Sequence, residues 1–149
     1  MKKYLFILLL GGLLTSCGEY LTDAIIAQYG TKVFEANFDD VWEATKGVLA
    51  THGYAIAYEN KEKGILNTDL KLIRAQAQGN AHSAQASGIY RQYLVKIKPI
   101  SDNKTQVTLT PKIFNGNNDI SADKIWVIKG PNGEIQLWQK IFNDLKALL

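Results

Sequence analysis

The chain has 149 residues, of which 46% are hydrophobic and 21% charged, with 17 Lys and Arg against 14 Asp and Glu for a formal net charge of +3. The aromatic content of 10% and only three prolines argue against a disordered chain. The charged residues form no basic stripe of the kind nucleic-acid binding needs, and a single cysteine excludes an intramolecular disulfide.

Met1-Lys2-Lys3 is a short positive start, followed by an apolar run from Tyr4 to Leu14 broken only by Gly11 and Gly12. As a helix that run would reach about 16 Å, against a bilayer hydrocarbon core of about 30 Å. It is too short to span and suits the apolar region of a secretory signal. The run ends at Leu14-Thr15-Ser16-Cys17, which resembles the bacterial lipobox: an aliphatic residue, two small residues, then Cys. The resemblance implies that residues 1–16 are removed by cleavage between Ser16 and Cys17. It implies that the Cys17 thiol carries diacylglycerol and that its new amine is acylated. Several acyl chains give stable anchoring where one is marginal. Gly18, rather than Asp, follows the Cys, which under the enterobacterial sorting rule implies the outer membrane, facing the periplasm.

Lys2 and Lys3 leave with the signal, so the mature chain has 133 residues, 15 basic and 14 acidic. The apparent basicity therefore says little about partners, and the length is that of one domain. Residues 17–30 read as a lipidated tether and 31–149 as a single domain. Within the tether, Leu21, Ile25, Ile26 and Tyr29 have helical spacing, compatible with a short helix or a loose linker.

Residues 31–37 predict a first strand, with Phe34 and Ala36 on one side and Val33 and Glu35 on the other. Asn37 can cap the helix that follows, with Asp39 and Asp40 in its first turn where carboxylates suit the dipole. Phe38, Val41, Trp42, Thr45, Val48 and Leu49 make one apolar face over 38–52, and Gly53 is a helix-ending residue. Residues 54–60 predict a strand with Tyr54, Ile56 and Tyr58 on one face. A polar turn through Gly64 leads to a third strand, 65–73.

Residues 74–88 hold Ala, Gln, Gly and Ser and no large apolar side chain, which predicts a long mobile loop or, alternatively, a short helix. Residues 89–100 predict a long strand with Tyr93, Val95 and Ile97 on one face. Residues 105–114 predict another, with Val107, Leu109 and Ile113 inward and Pro111 marking an edge or strand end. Residues 125–128 suit a short strand or a packed clip. Gly130 to Gly133 introduces a last helix with the stripe Ile135, Trp138, Ile141, Phe142, Leu145, Leu148 and Leu149. The expected class is α+β, an antiparallel sheet of about five strands covered on one face by two helices, in the order β-α-β-β-β-β-α.

The stretch Val33-Phe34-Glu35-Ala36-Asn37-Phe38-Asp39-Asp40-Val41-Trp42-Glu43-Ala44, with Leu49, Gly53-Tyr54-Ala55-Ile56 and Lys63-Gly64-Ile65-Leu66, resembles the BamC-like lipoproteins. The resemblance is good over residues 33–67 and extends beyond them in element order. It implies a helix-grip fold and a non-enzymatic part in outer-membrane protein assembly.

Catalytic constellations are not evident. His52 ends the first long helix, where a capping role suits it. His82 stands among Asn80, Ser83 and Gln85 with no Cys or carboxylate near it in sequence, so no metal is expected there. Ser83 and Ser87 lack a nucleophile-elbow context. Asp39, Asp40, Glu43, Glu59 and Glu62 sit where solvation and capping explain them. Trp138 belongs to a helical stripe, whereas Trp126, in an apolar run between polar loops, is a core residue or a partner contact; His82 is a second candidate contact. The expectation is a non-enzymatic envelope lipoprotein that binds a protein partner, held to the membrane through Cys17, with no cofactor, no metal and no nucleic acid. Its alternatives are a carrier of a small apolar ligand between helix and sheet, and an anchored envelope hydrolase.

Overall fold

The computed structural model describes residues 20–80, 83–123, 128–130 and 132–149. The signal, Ser16, Cys17, His82 and Trp126 lie outside the described residues. The elements in order are α1 Asp23–Tyr29, β1 Thr31–Phe34, α2 Phe38–Thr51, β2 Ile56–Asn60, β3 Ile65–Thr68, β4 Lys71–Asn80, β5 Ser83–Ser101, β6 Lys104–Asn115, β7 Asn118–Asp119 and α3 Glu134–Leu148.

Short local signals set these boundaries. Thr22 accepts a hydrogen bond from the Ile25 amide to start α1, whose Ile25, Ile26 and Tyr29 pack against the core along with Leu21. The stretch expected as a tether thus includes a helix laid on the body. Asn37 accepts from the Asp40 amide at 3.0 Å and caps α2, so β1 stops at Phe34 to leave room for the cap. His52 closes the helix with its amide on the Val48 carbonyl at 3.1 Å, and Gly53 follows at φ +76°, a conformation costly for residues with a Cβ. Capping by His52 and termination at Gly53 are as the sequence predicts.

All strand pairs are antiparallel, and the main path across the sheet is β1-β6-β5-β3-β2. β4 also pairs with β5, and β7 with β6. The fold is α+β, as expected, but the described residues form seven strands and three helices in place of about five and two. One added strand comes from a break. The expected third strand is interrupted at Asp69 and Leu70, and its two pieces, β3 and β4, pair with successive parts of β5. The other is β7, two residues folded back on the end of β6.

Residues 74–80 and 83–88 are not a loop. They are most of a hairpin in which β4 and β5 run in register from Arg74–Ile89 to Asn80–Ser83. Small pairs (Ala75–Gly88, Ala77–Ala86, Gly79–Ala84) alternate with polar ones (Gln76–Ser87, Gln78–Gln85, Asn80–Ser83). A backbone ladder needs period-two alternation, not large side chains, and that alternation is present in the sequence. β6 reaches only to Asn115, opposite Ile89, so beyond Gly88 the hairpin is a two-stranded arm. Such a ribbon contributes little stability by itself. Replacing residues 76–87 by a two-residue Asn-Gly turn should leave the thermal midpoint within a few degrees by calorimetry; failure to fold would make the arm integral to the domain.

The core lies between the sheet and helices α2 and α3. Phe34, Tyr93, Val95, Ile97, Val107 and Leu109 from the sheet meet Val41, Trp42, Leu49, Trp138, Ile141, Phe142 and Leu145 from the helices. Trp42 and Trp138 are both buried, whereas Leu148 and Leu149 extend the expected stripe into solvent. Tyr58 does not share a face with Tyr54. A register shift between Ile56 and Tyr58 turns the strand over, leaving Tyr58 exposed and Tyr54 buried. Pro111 is at a local edge as expected: β1 covers β6 only from Thr105 to Thr108. The Leu109 amide points to the β1 side, on the Gly30 carbonyl. Two residues further on, the proline nitrogen faces that same side beyond the end of β1.

Candidate functional site

An open groove of about 660 Å³ lies at the end of the sheet opposite the arm, where the start of α2 meets the β2–β3 turn and the end of β5. Its apolar lining is Phe38, Ile97 and Pro99, and four lysines, Lys61, Lys63, Lys96 and Lys98, surround it with Glu62. Phe38 is the first residue of α2 and rests against Trp42, ring centroids 5.8 Å apart. The turn is fixed from within: Asn60 Oδ1 accepts from the Lys63 amide at 3.0 Å. Gly64 then adopts φ +62° and accepts from the Ile97 amide at 2.8 Å. A Cβ at Gly64 would stand 2.0 Å from the Ile97 carbonyl oxygen, so only glycine lets the turn lie against β5.

Two of the four lysines are committed. Lys61 pairs with Asp39 at 2.9 Å, and Lys96 donates to the Lys63 carbonyl at 2.6 Å. Lys63 and Lys98 have no acidic partner among the described residues. An apolar floor beside uncommitted ammonium groups suits a segment carrying both apolar and carboxylate groups.

A second cluster is sealed inside. Glu134, the first residue of α3, is fully buried. It accepts a hydrogen bond from the Tyr93 hydroxyl and lies 2.9 Å from Arg91 Nη2. The latter contact is an ion pair without hydrogen-bond alignment. Arg91 Nη1 donates to the Tyr54 hydroxyl at 3.3 Å, and the Tyr54 and Tyr93 rings meet edge to face at 5.0 Å. Thr68 Oγ1 accepts from the Tyr93 amide at 2.9 Å. Outside this cluster, Lys71 caps the end of α2 on the His52 carbonyl at 2.5 Å and lies over the Tyr54 ring.

Burial pushes the Glu134 carboxyl above its ordinary range, with the Arg91 charge and the Tyr93 hydroxyl pulling it back. Burial also raises both tyrosines, Tyr93 strongly. Perturbed groups of this kind mark active sites when they line a cleft. These are closed off from solvent and instead tie the start of α3 to the inner face of β5.

The sequence-predicted residues divide accordingly. His52 stands 2.7 Å from Asp144, linking the ends of α2 and α3. Glu59 pairs with Lys46 and Asp39 with Lys61, so the carboxylates singled out are spread over surface pairs and caps. Among the described residues, no group of three or more His, Cys, Asp or Glu is placed to hold a metal. Sequence reasoning missed the buried cluster, although one signal for it was present. Arg91 falls in the inward row of β5 with Tyr93, Val95 and Ile97, where an unpaired cation would be prohibitive.

No family model matches the chain, and no curated protein matches it. Among solved structures it is similar to a DUF4468 family protein from Bacteroides ovatus, at 13% identity and a TM-score of 0.44, over 79% of this chain and 83% of that one. The described residues form an α+β fold with an antiparallel sheet and a groove at one end.

Proposed function

We propose that this protein is a lipid-anchored component of the bacterial cell envelope, on the outer membrane facing the periplasm. It binds a protein partner without catalysing a reaction. The observation that carries the binding role is the groove: an apolar floor of Phe38, Ile97 and Pro99 beside the uncommitted Lys63 and Lys98. The partner segment is then extended, partly apolar and acidic. The anchor rests on the lipobox-like Leu14-Thr15-Ser16-Cys17. The helix-grip arrangement of the BamC-like lipoproteins is the finer reading of the fold, supported by α2 and α3 both packing on one face of the sheet. The apolar-ligand carrier loses support, because the space between helices and sheet is filled by Trp42, Leu49, Tyr93, Leu109 and Trp138, all nearly inaccessible.

The two halves of the proposal separate experimentally. Cys17→Ala should release the protein from the membrane fraction while leaving its circular dichroism unchanged. If the variant still resists carbonate extraction, the anchor assignment fails. Lys63→Glu with Lys98→Glu should keep the protein in membranes but lose, in a salt-dependent way, the partner cross-linked to the wild-type protein. Retention of that partner by the charge-reversed variant would exclude the groove as its site.

A further inference from the structure

A second concavity, of about 450 Å³, continues the groove past the Phe38 ring. It shares Phe38 and Pro99 with the groove and adds Asp39, Ile100 and Asp102. The two form one cleft along the last residues of β5. It runs from the β2–β3 turn to Asp102 and Asn103, the turn between β5 and β6. The cleft is bipolar. Lys63 and Lys98, at one end, have no acidic partner among the described residues. Asp39 of the second concavity pairs with Lys61 of the first at 2.9 Å, so the middle is neutral. At the other end Asp102 is exposed and has no basic partner among the described residues. Lys104, across the turn from it, is held by Glu35 at 3.0 Å. Between the two ends the surface is apolar: Phe38, Pro99 and Ile100, the last 51% exposed.

The backbone beside the cleft offers little to an added strand. The Ile97 amide points to the β3 side, onto the Gly64 carbonyl at 2.8 Å. Two residues further on, the next position facing that side is Pro99, which has no amide hydrogen. A proline at such an edge blocks strand pairing. Recognition therefore falls to side chains, and the placement of charge decides what fits. Lys98 is four residues before Asp102 and Lys96 six, and Lys63 lies beside Lys96, whose ammonium donates to its carbonyl. At about 3.3 Å per residue the two charged ends stand about 13–20 Å apart. An extended chain covers that distance in about four to six residues.

We propose that the cleft takes a bipolar segment of its protein partner. A carboxylate lies at the Lys63–Lys98 end, and apolar side chains rest on Phe38, Pro99 and Ile100. A Lys or Arg about four to six residues away meets Asp102. The proposal rests on the groove being the partner's site, and adds a second charge with its sign and spacing. A segment acidic at both ends would set like charge against Asp102. Such opposition discriminates against wrong partners more than it adds affinity for the right one.

The test titrates the full-length protein, in detergent micelles, into fluorescein-labelled peptides capped at both ends and reads their anisotropy. The probes are X-Thr-Val-Thr-Leu-Thr-Z and the shorter X-Thr-Leu-Thr-Z, in which X, Z and the apolar residues share one face of the extended chain. The end pair is Asp with Lys in either order, Asp with Asp, or Lys with Lys. The better Asp/Lys peptide should bind about tenfold tighter than its Asp/Asp and Lys/Lys counterparts, and the gap should narrow with salt. Asp102→Lys should turn the preference to Asp/Asp, and Lys63→Glu with Lys98→Glu should turn it to Lys/Lys. Circular dichroism verifies the fold of each variant. Equal binding of Asp/Asp and Asp/Lys peptides, or a preference that Asp102→Lys leaves unchanged, would overturn the proposal and leave the groove standing. Failure of every peptide to bind, with the cross-linked partner still lost from the Lys63→Glu, Lys98→Glu variant, would do the same. A partner retained by that variant would overturn the groove and the bipolar segment together.

Discussion

Arg91→Ala should lower the unfolding free energy by about 3–5 kcal/mol, the usual loss when one partner of a buried ion pair is removed. The cost arises at Glu134, which is fully buried and would keep only the Tyr93 hydroxyl as a donor. The loss should depend on pH in a defined direction. Burial already holds the folded-state pKa of Glu134 above its ordinary value, and the Arg91 charge opposes that rise. Without Arg91 the folded pKa moves further up, while the unfolded value stays at about 4.3. An acid with a raised folded pKa contributes stability that is fully present below its unfolded pKa and is lost as pH rises through the folded one. The variant should therefore be closer to wild type at about pH 4 than at about pH 7 in urea melts. Glu134→Gln in the Arg91→Ala background should remove most of that slope. A deficit of the same size at both pH values would show that lost packing of the arginine stem, not the stranded carboxyl, sets the cost.

Which parts of this architecture were legible follows from how local their causes are. Helix α2 was legible because its cap, first-turn acids, apolar face and terminating glycine are contiguous, from Asn37 to Gly53. The inward rows of β5 and β6 were legible because Tyr93, Val95 and Ile97, and Val107, Leu109 and Ile113, alternate with residues that, Leu94 apart, are polar. The arm was not, because its alternation is of Ala and Gly with Gln, Asn and Ser, which resembles a loop when only large apolar residues are taken as strand signals. The break at Asp69 and Leu70 and the turnover between Ile56 and Tyr58 depend on register against partner strands, information no single segment holds. The same holds for the sites. Glu134 reads as an ordinary first-turn acid on α3; its partners Tyr93 and Arg91 lie more than forty residues earlier. The groove joins residue 38 to residues 61–64 and 96–99, so its lysines are scattered in sequence and gather only when the β2–β3 turn lies against β5.

Trp42→Ala should cost about 3–5 kcal/mol, the range for truncating a buried aromatic. Trp42 is 1% exposed and central to the α2 face that includes Val41, Thr45 and Leu49, all inaccessible to solvent. That face meets α3 as well as the sheet, so a void there loosens both contacts. Close packing leaves no neighbour free to fill it. Val33→Ala, at a residue 47% exposed on the opposite face, should change stability by no more than about 0.5 kcal/mol and serves as the comparison in the same urea melts. A loss below about 1 kcal/mol for Trp42→Ala would mean that the α2–sheet interface is not the core. The effect should also reach the groove. Phe38 forms part of its floor and rests on the Trp42 ring, so a smaller residue at position 42 withdraws that support. Trp42→Phe, which keeps a ring in the core, should cost less stability than Trp42→Ala and still weaken cross-linking of the partner. The groove's shape thus depends on a side chain with no exposure to the solvent the groove opens into.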